Sequence, residues 1–180
     1  MQSKMKTLIC SWILLFAMSA LAQSVSMEVG GGFRFESEAD GRSTESQGLL
    51  RLGLGVDLSV FDLVGEITTF GNTDSGSALS ISRRHFELMA WGMYHLWRRT
   101  VSSLQVGAGM GIFWEKVSSD IPGVTVQSAS DVEIVLGGAV EYRHYFTQVI
   151  SGSMKARAIL NTNNSLAPVI DLLLAVGYLF

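Results

Sequence analysis

The stretch Pro168 to Phe180, PVIDLLLAVGYLF, decides how the rest of the chain is read. In an extended strand, successive side chains point to opposite faces. Ile170, Leu172, Leu174, Val176, Tyr178 and Phe180 then share one face, and Asp171, Leu173, Ala175, Gly177 and Leu179 share the other. One face is wholly apolar and the other carries a carboxylate. A water-soluble fold gains little from a strand that ends on an exposed Phe180. A closed sheet standing in lipid needs such a strand, because hydrocarbon offers no partner to an unpaired backbone group and the lipid-facing side chains must be apolar.

The opposite end of the sequence agrees. Lys4 and Lys6 precede an apolar run from Leu8 to Ala17, and Ala20-Leu21-Ala22 has the spacing of a leader cleavage site. Residues 1–22 read as a cleavable signal peptide and 23–180 as the exported domain, with the mature chain starting at Gln23. The apolar run falls short of the ~20 residues a spanning helix needs. Cys10 lies inside that run rather than at its end, so lipidation is not expected, and cleavage removes the one cysteine of the sequence. The leader takes two of the 13 Lys+Arg residues with it against 16 Asp+Glu. The acidic balance that results argues against nucleic acid as a partner. Mean hydropathy is +0.32, yet no long uncharged apolar run follows residue 22. Apolarity is spread along the chain by alternation, as membrane strands require.

A period of two recurs throughout. Val25, Met27, Val29, Gly31, Phe33 and Phe35 oppose Ser26, Glu28, Gly30, Gly32, Arg34 and Glu36. Leu50, Leu52, Leu54, Val56, Leu58 and Val60 oppose Arg51, Gly53, Gly55, Asp57 and Ser59. A tight turn at Ser59–Asp62 leads to Phe61, Leu63, Gly65, Ile67 and Thr69 against Asp62, Val64, Glu66 and Thr68. A fourth segment, Ser82 to Trp97, sets Phe86, Leu88, Ala90, Gly92, Tyr94 and Leu96 against His85, Glu87, Met89, Trp91, Met93 and His95. Its second face is partly apolar, so a helix is the competing reading there. Three further strands follow: Ser103–Trp114, Asp131–His144 and Ile150–Leu160. The closing strand comes last.

The connections alternate between long and short. The long polar ones are 37–47, 71–80, 117–128 and 161–167; the short ones lie at Ser59–Asp62, Arg98–Thr100 and Phe146–Gln148. The expected fold is all-β: an eight-stranded antiparallel up-and-down transmembrane β-barrel, with short turns in the periplasm and long loops outside. A soluble eight-stranded barrel of the lipocalin kind would invert the faces. Three features favour the membrane form. Glycines gather on the charged face (Gly30/Gly32, Gly53/Gly55, Gly107/Gly109/Gly111), leaving room inside for Arg and Glu. Aromatics fall near strand ends, as interfacial girdles do. The third feature is the terminal Phe180.

The ending Tyr178-Leu179-Phe180 resembles the C-terminal signature of outer-membrane β-barrel proteins, and the whole pattern from Gln23 to Phe180 resembles the small OmpX- and OmpA-type barrels. The resemblance implies a bacterial outer-membrane location, with Tyr178 and Phe180 as an assembly signal read by the barrel-assembly machinery. It implies outer-membrane lipid and lipopolysaccharide as surroundings, a monomer, and a structural or surface-interaction role through the outer loops. With no further domain after the strands, cell-wall anchoring is not expected.

The inner face then holds Glu28, Arg34, Glu36, Arg51, Asp57, Asp62, Glu66, Glu87, Asp131, Glu133, Glu141, Arg143, Lys155, Arg157 and Asp171. Charges of both signs in so narrow a lumen are expected to pair as a structural plug; a gated ion path is the sharper alternative. Gly107-Ala108-Gly109-Met110-Gly111 lacks phosphate-loop spacing. His85, His95 and His144 are scattered, so no metal-ligand cluster is expected, and nothing calls for a cofactor. His144 has lipid-side parity and reads as a girdle residue. The competing activity is a lipid-modifying barrel enzyme, a lipid A deacylase or acyltransferase. That would want a His and a Ser together on the lipid face, whereas His85 has inward parity and no His-x-Ser occurs.

Overall fold

The structure, a computed structural model, describes residues 24–37, 44–75, 80–121, 124–129, 132–161 and 169–180. The predicted leader, Gln23, Asp131 and much of the long loops lie outside the described residues.

Every described element is a strand: β1 (Ser24–Ser37), β2 (Thr44–Asp57), β3 (Phe61–Ser75), β4 (Ser80–Arg99), β5 (Ser102–Ile121), β6 (Val124–Ala129), β7 (Glu133–Tyr145), β8 (Ile150–Asn161) and β9 (Val169–Leu179). The neighbours run β4-β3-β2-β1-β9-β8-β7-β5, all antiparallel, and β4 pairs with β5 to close the ring. Eight strands therefore make the barrel. The short β6 adds to the outer part of β5 alone.

Two expectations are corrected. The segment 117–128, read as a loop, is instead the continuation of β5 into a hairpin with β6. The segments 37–47 and 71–80 are also partly strand, since β2 begins at Thr44 and β3 runs to Ser75. Polar residues there continue the ladder because it lies beyond the apolar belt, where period-two hydrophobicity is no longer required. At the other end β2 stops at Asp57. Ser59 adopts a positive φ of 71°, and its N–H donates to Asp57 Oδ1 at 2.7 Å, the local bond by which an Asp pins a turn.

The faces are as the alternation required. In β9 the even-numbered residues from Ile170 to Tyr178 are exposed, whereas Asp171, Leu173 and Ala175 are buried. The same holds around the ring: Val29, Leu50, Leu54, Ile67, Met110, Ile134, Met154 and Leu174 all face out. β4 is a strand along its whole length, which settles the helix alternative. A register shift between His95 and Trp97 brings both Leu96 and Trp97 to the exterior.

Candidate functional site

The exterior and the lumen are the two candidate sites, and both follow from parity. On the outside, aromatic residues gather at two levels. At the end with the short turns, Tyr178 meets Phe180 edge-on at 4.9 Å and His144 meets Phe146 at 5.1 Å. His144 thus takes the girdle place expected of it. At the loop end, Phe86 stacks on Trp114 at 5.6 Å and Phe33 is exposed. Between these levels the outer surface is apolar. Such an exterior belongs to a barrel that spans a membrane.

Inside, ion pairs run from one end of the barrel to the other. Near the loop end, Asp171 of β9 stands in register between Arg34 of β1 and Arg157 of β8. Arg34 grips it with two bonds, 2.8 and 2.9 Å, and Arg157 Nε donates to it at 2.7 Å. Such forked contacts are the strong form of the ion pair. Both guanidiniums also reach Glu87, at 2.8 and 2.7 Å. Below them Glu66 receives Arg157 at 3.2 Å, Arg51 at 2.5 Å and the Lys155 ammonium. Arg51 bridges on to Glu28 at 2.9 Å. Arg143 pairs with Glu28 and, at 2.8 Å, with Glu141. The chain ends on Asp62, which accepts from Gln105 at 2.6 Å and lies 3.0 Å from His95 Nε2.

Of the predicted lumenal residues, Glu28, Arg34, Arg51, Glu66, Glu87, Glu141, Arg143, Lys155, Arg157 and Asp171 are brought together, each almost wholly buried. Asp57 and Glu133 are not part of this buried set. Asp57 sits at the turn-end rim and pairs with Arg98 at 2.6 Å. Glu133 sits at the loop end, half-buried, and accepts from Asn161. Both belong to the ends of strands, where parity no longer guarantees burial. Asp57, Asp62 and His95 bring their ligand atoms within 4.8 Å of one another, a grouping the scattered histidines gave no reason to expect. Arg98 and Gln105 already donate to its two carboxylates.

The lumen also has an apolar side, the partly apolar second face that the alternation gave to the fourth segment, whose glycine partners on β5 the sequence did not show. Met89, Trp91 and Met93 of β4 face inward and lie in register with Gly111, Gly109 and Gly107 of β5. A Cβ at Gly109 would come within 2.6 Å of the Trp91 ring, and one at Gly107 within 2.5 Å of Met93 Sδ. These glycines were expected to make room for Arg and Glu; on β5 they make room for two methionines and a tryptophan. The Lys155 ammonium lies 4.5 Å from the Trp91 ring centre and joins the two sides. Above the ion pairs, His85 stacks on Phe70 at 4.7 Å and on Phe113 at 5.5 Å, and Arg34 lies 3.9 Å over Phe70. This stack roofs the lumen at its loop end.

No family model matches the chain, and no curated sequence matches it. Solved structures do. Neisserial surface protein A is 15% identical, with a TM-score of 0.68 over 87% of this chain and 97% of that one. Ail, the attachment invasion locus protein of Yersinia pestis, is 12% identical, with a TM-score of 0.63 over 87% and 98%. The N-terminal β-barrel domain of Pseudomonas aeruginosa OprF is 14% identical, with a TM-score of 0.54 over 88% and 99%. The fold is that of the small outer-membrane β-barrels. At these identities the likeness is one of fold.

Proposed function

We propose that this chain is a bacterial outer-membrane barrel with no catalytic role, which acts through the part that projects beyond the membrane. The observation that carries this reading is the inequality of the strands. β4 and β5 are each 20 residues long, whereas β9 has 11 and β8 has 12. About 9–11 residues cross the bilayer. The one short turn that joins β4 to β5, between Arg99 and Ser102, fixes their other end, so the excess stands outside, where β6 joins it to form a three-stranded ribbon. In the described residues β6 pairs with β5 alone, so its second edge is open to a partner strand.

The lumen supports a plug. Its charges are neutralised by one another, and its loop end is roofed by Phe70, His85 and Phe113. An enzymatic role finds less support: His85, the histidine nearest the loop end, faces inward within that roof. The closed ring leaves no barrel edge unpaired, which supports a monomer. Outer-membrane lipid, lipopolysaccharide and the assembly machinery are the partners this reading implies, with exposed Tyr178 and Phe180 as the assembly signal. Ail has been solved with the heparin analogue sucrose octasulfate. The loops here favour no such polyanion, since they carry Glu38, Asp40, Glu45, Asp74 and Asp120 against Arg42.

Epitope tags placed at 40–46 or 120–125 are expected to bind antibody on intact cells, and a tag at Arg98–Arg99 is not. Labelling of the last tag on intact cells overturns the orientation. In the same cells Phe180→Ser should lower the amount of folded barrel in the outer membrane; unchanged assembly removes the role given to the C-terminus.

A further inference from the structure

Arg84 on β4 and Lys116 on β5 are partners in register, so their Cβ atoms lie about 5 Å apart on one face of the sheet. That face is the outer one, because both share the parity of Phe86 and Trp114, the stacked aromatic pair two residues nearer the belt. Both side chains are exposed. Their register neighbours on the flanking strands are Gly71 of β3 and Ala129 of β6. Glu115, between Trp114 and Lys116, has the opposite parity and lies 3.9 Å from the inward-facing His85. Among the described residues, the two cations therefore have no carboxylate beside them on their own face.

Their height is equally specific. Aromatic girdles sit at the level of lipid headgroups, and two residues of strand add about 7 Å beyond it. This is also where the sheet divides: β7 pairs with β5 up to Phe113, and β6 takes over from Lys116. Arg84 and Lys116 thus stand at the foot of the projecting ribbon, facing sideways over the lipid. Elsewhere round the rim the outward positions are held by Phe33, Gly48, Leu160 and Ile170. Among the described residues, the outward basic charge at this level is a single spot rather than a ring.

Resting on the outer-membrane reading above, we infer that Arg84 and Lys116 are a docking site for the phosphate groups of one phosphorylated glycolipid of the outer leaflet, whose acyl chains lie against Phe86 and Trp114. Arg supplies a planar fork for phosphate oxygens and Lys a point charge beside it. The lipid would brace the ribbon at its base.

Native mass spectrometry of the full chain in zwitterionic detergent tests this, using bisphosphorylated lipid A, its dephosphorylated form and inorganic phosphate as probes. One bisphosphorylated molecule should be retained. The double variant Arg84→Ser/Lys116→Ser should weaken retention on the order of thirtyfold, from the worth of two basic side chains at an anionic lipid surface. Arg84→Lys/Lys116→Arg should retain it. Equal retention by the serine variant, equal binding of the dephosphorylated lipid, or displacement by inorganic phosphate overturns the inference. Heat-modifiable gel migration of the same samples keeps the two levels apart. A wild-type chain that migrates as a barrel but ignores phosphate sinks this site alone, whereas one that needs no detergent and shows no shift sinks the outer-membrane reading.

Discussion

Where β9 meets β1 and β8, the lumen is held by Arg34, Asp171 and Arg157; where β4 meets β5, it is held by Met89, Trp91 and Met93 seated over glycines. Both regions are buried and both fill the same narrow space, yet they fill it by different physics. At the first, each group is fixed by the charge beside it, and removing one leaves its partners buried and uncompensated. At the second, each group is fixed by shape, and the fit depends on what is missing from β5. The ionic seam should thus be brittle towards loss of a group and the apolar wall brittle towards gain of one.

Asp171→Ala is the severest test of this contrast. It takes the shared carboxylate from two buried guanidiniums and leaves Glu87 alone between them, so the chain is expected to lose about 3–5 kcal/mol, the usual cost of breaking a buried pair. The midpoint of urea unfolding in detergent measures it, and a loss below about 1 kcal/mol would mean the seam is not ionic in the sense argued. Gly109→Ala should come next. The added methyl meets the Trp91 ring, and overpacking of this kind costs about 1–3 kcal/mol. Combining it with Trp91→Leu should recover part of that loss; a double variant no better than the sum of the two singles removes the slot. Asp57→Asn should do least. Its partner Arg98 is 38% exposed at the rim, where ion pairs are worth about 1 kcal/mol or less. A loss as large as that of Asp171→Ala would place the rim pair inside the network after all.

Much of this was legible because a strand allows only two faces. Once Ile170 and Leu172 were set towards lipid, Asp171 had to point inward, and the same parity placed Arg34, Arg51, Glu66 and Lys155. Pairing was not legible, because parity gives direction and not height. Nothing in the sequence said that Asp171 would lie between Arg34 and Arg157, or that His95 would reach Asp62. The wall of β4 was legible only in part. Parity turned Met89, Trp91 and Met93 inward, but only their register against Gly107, Gly109 and Gly111 shows what they fill. The hairpin of β5 and β6 was missed because hydrophobic alternation reports burial, and a ribbon in water has no buried face to report.

The placement of Asp171 has a consequence for how the cylinder shuts. On β1 it lies opposite Arg34, with Gly32 two places to one side and Glu36 two places to the other. A closing strand that slid by two residues would meet either an empty position or a like charge, and one that slid by a single residue would turn its carboxylate to the lipid. The last strand therefore carries its own register mark, one that the apolar face, unchanged by a slip of two residues, does not supply.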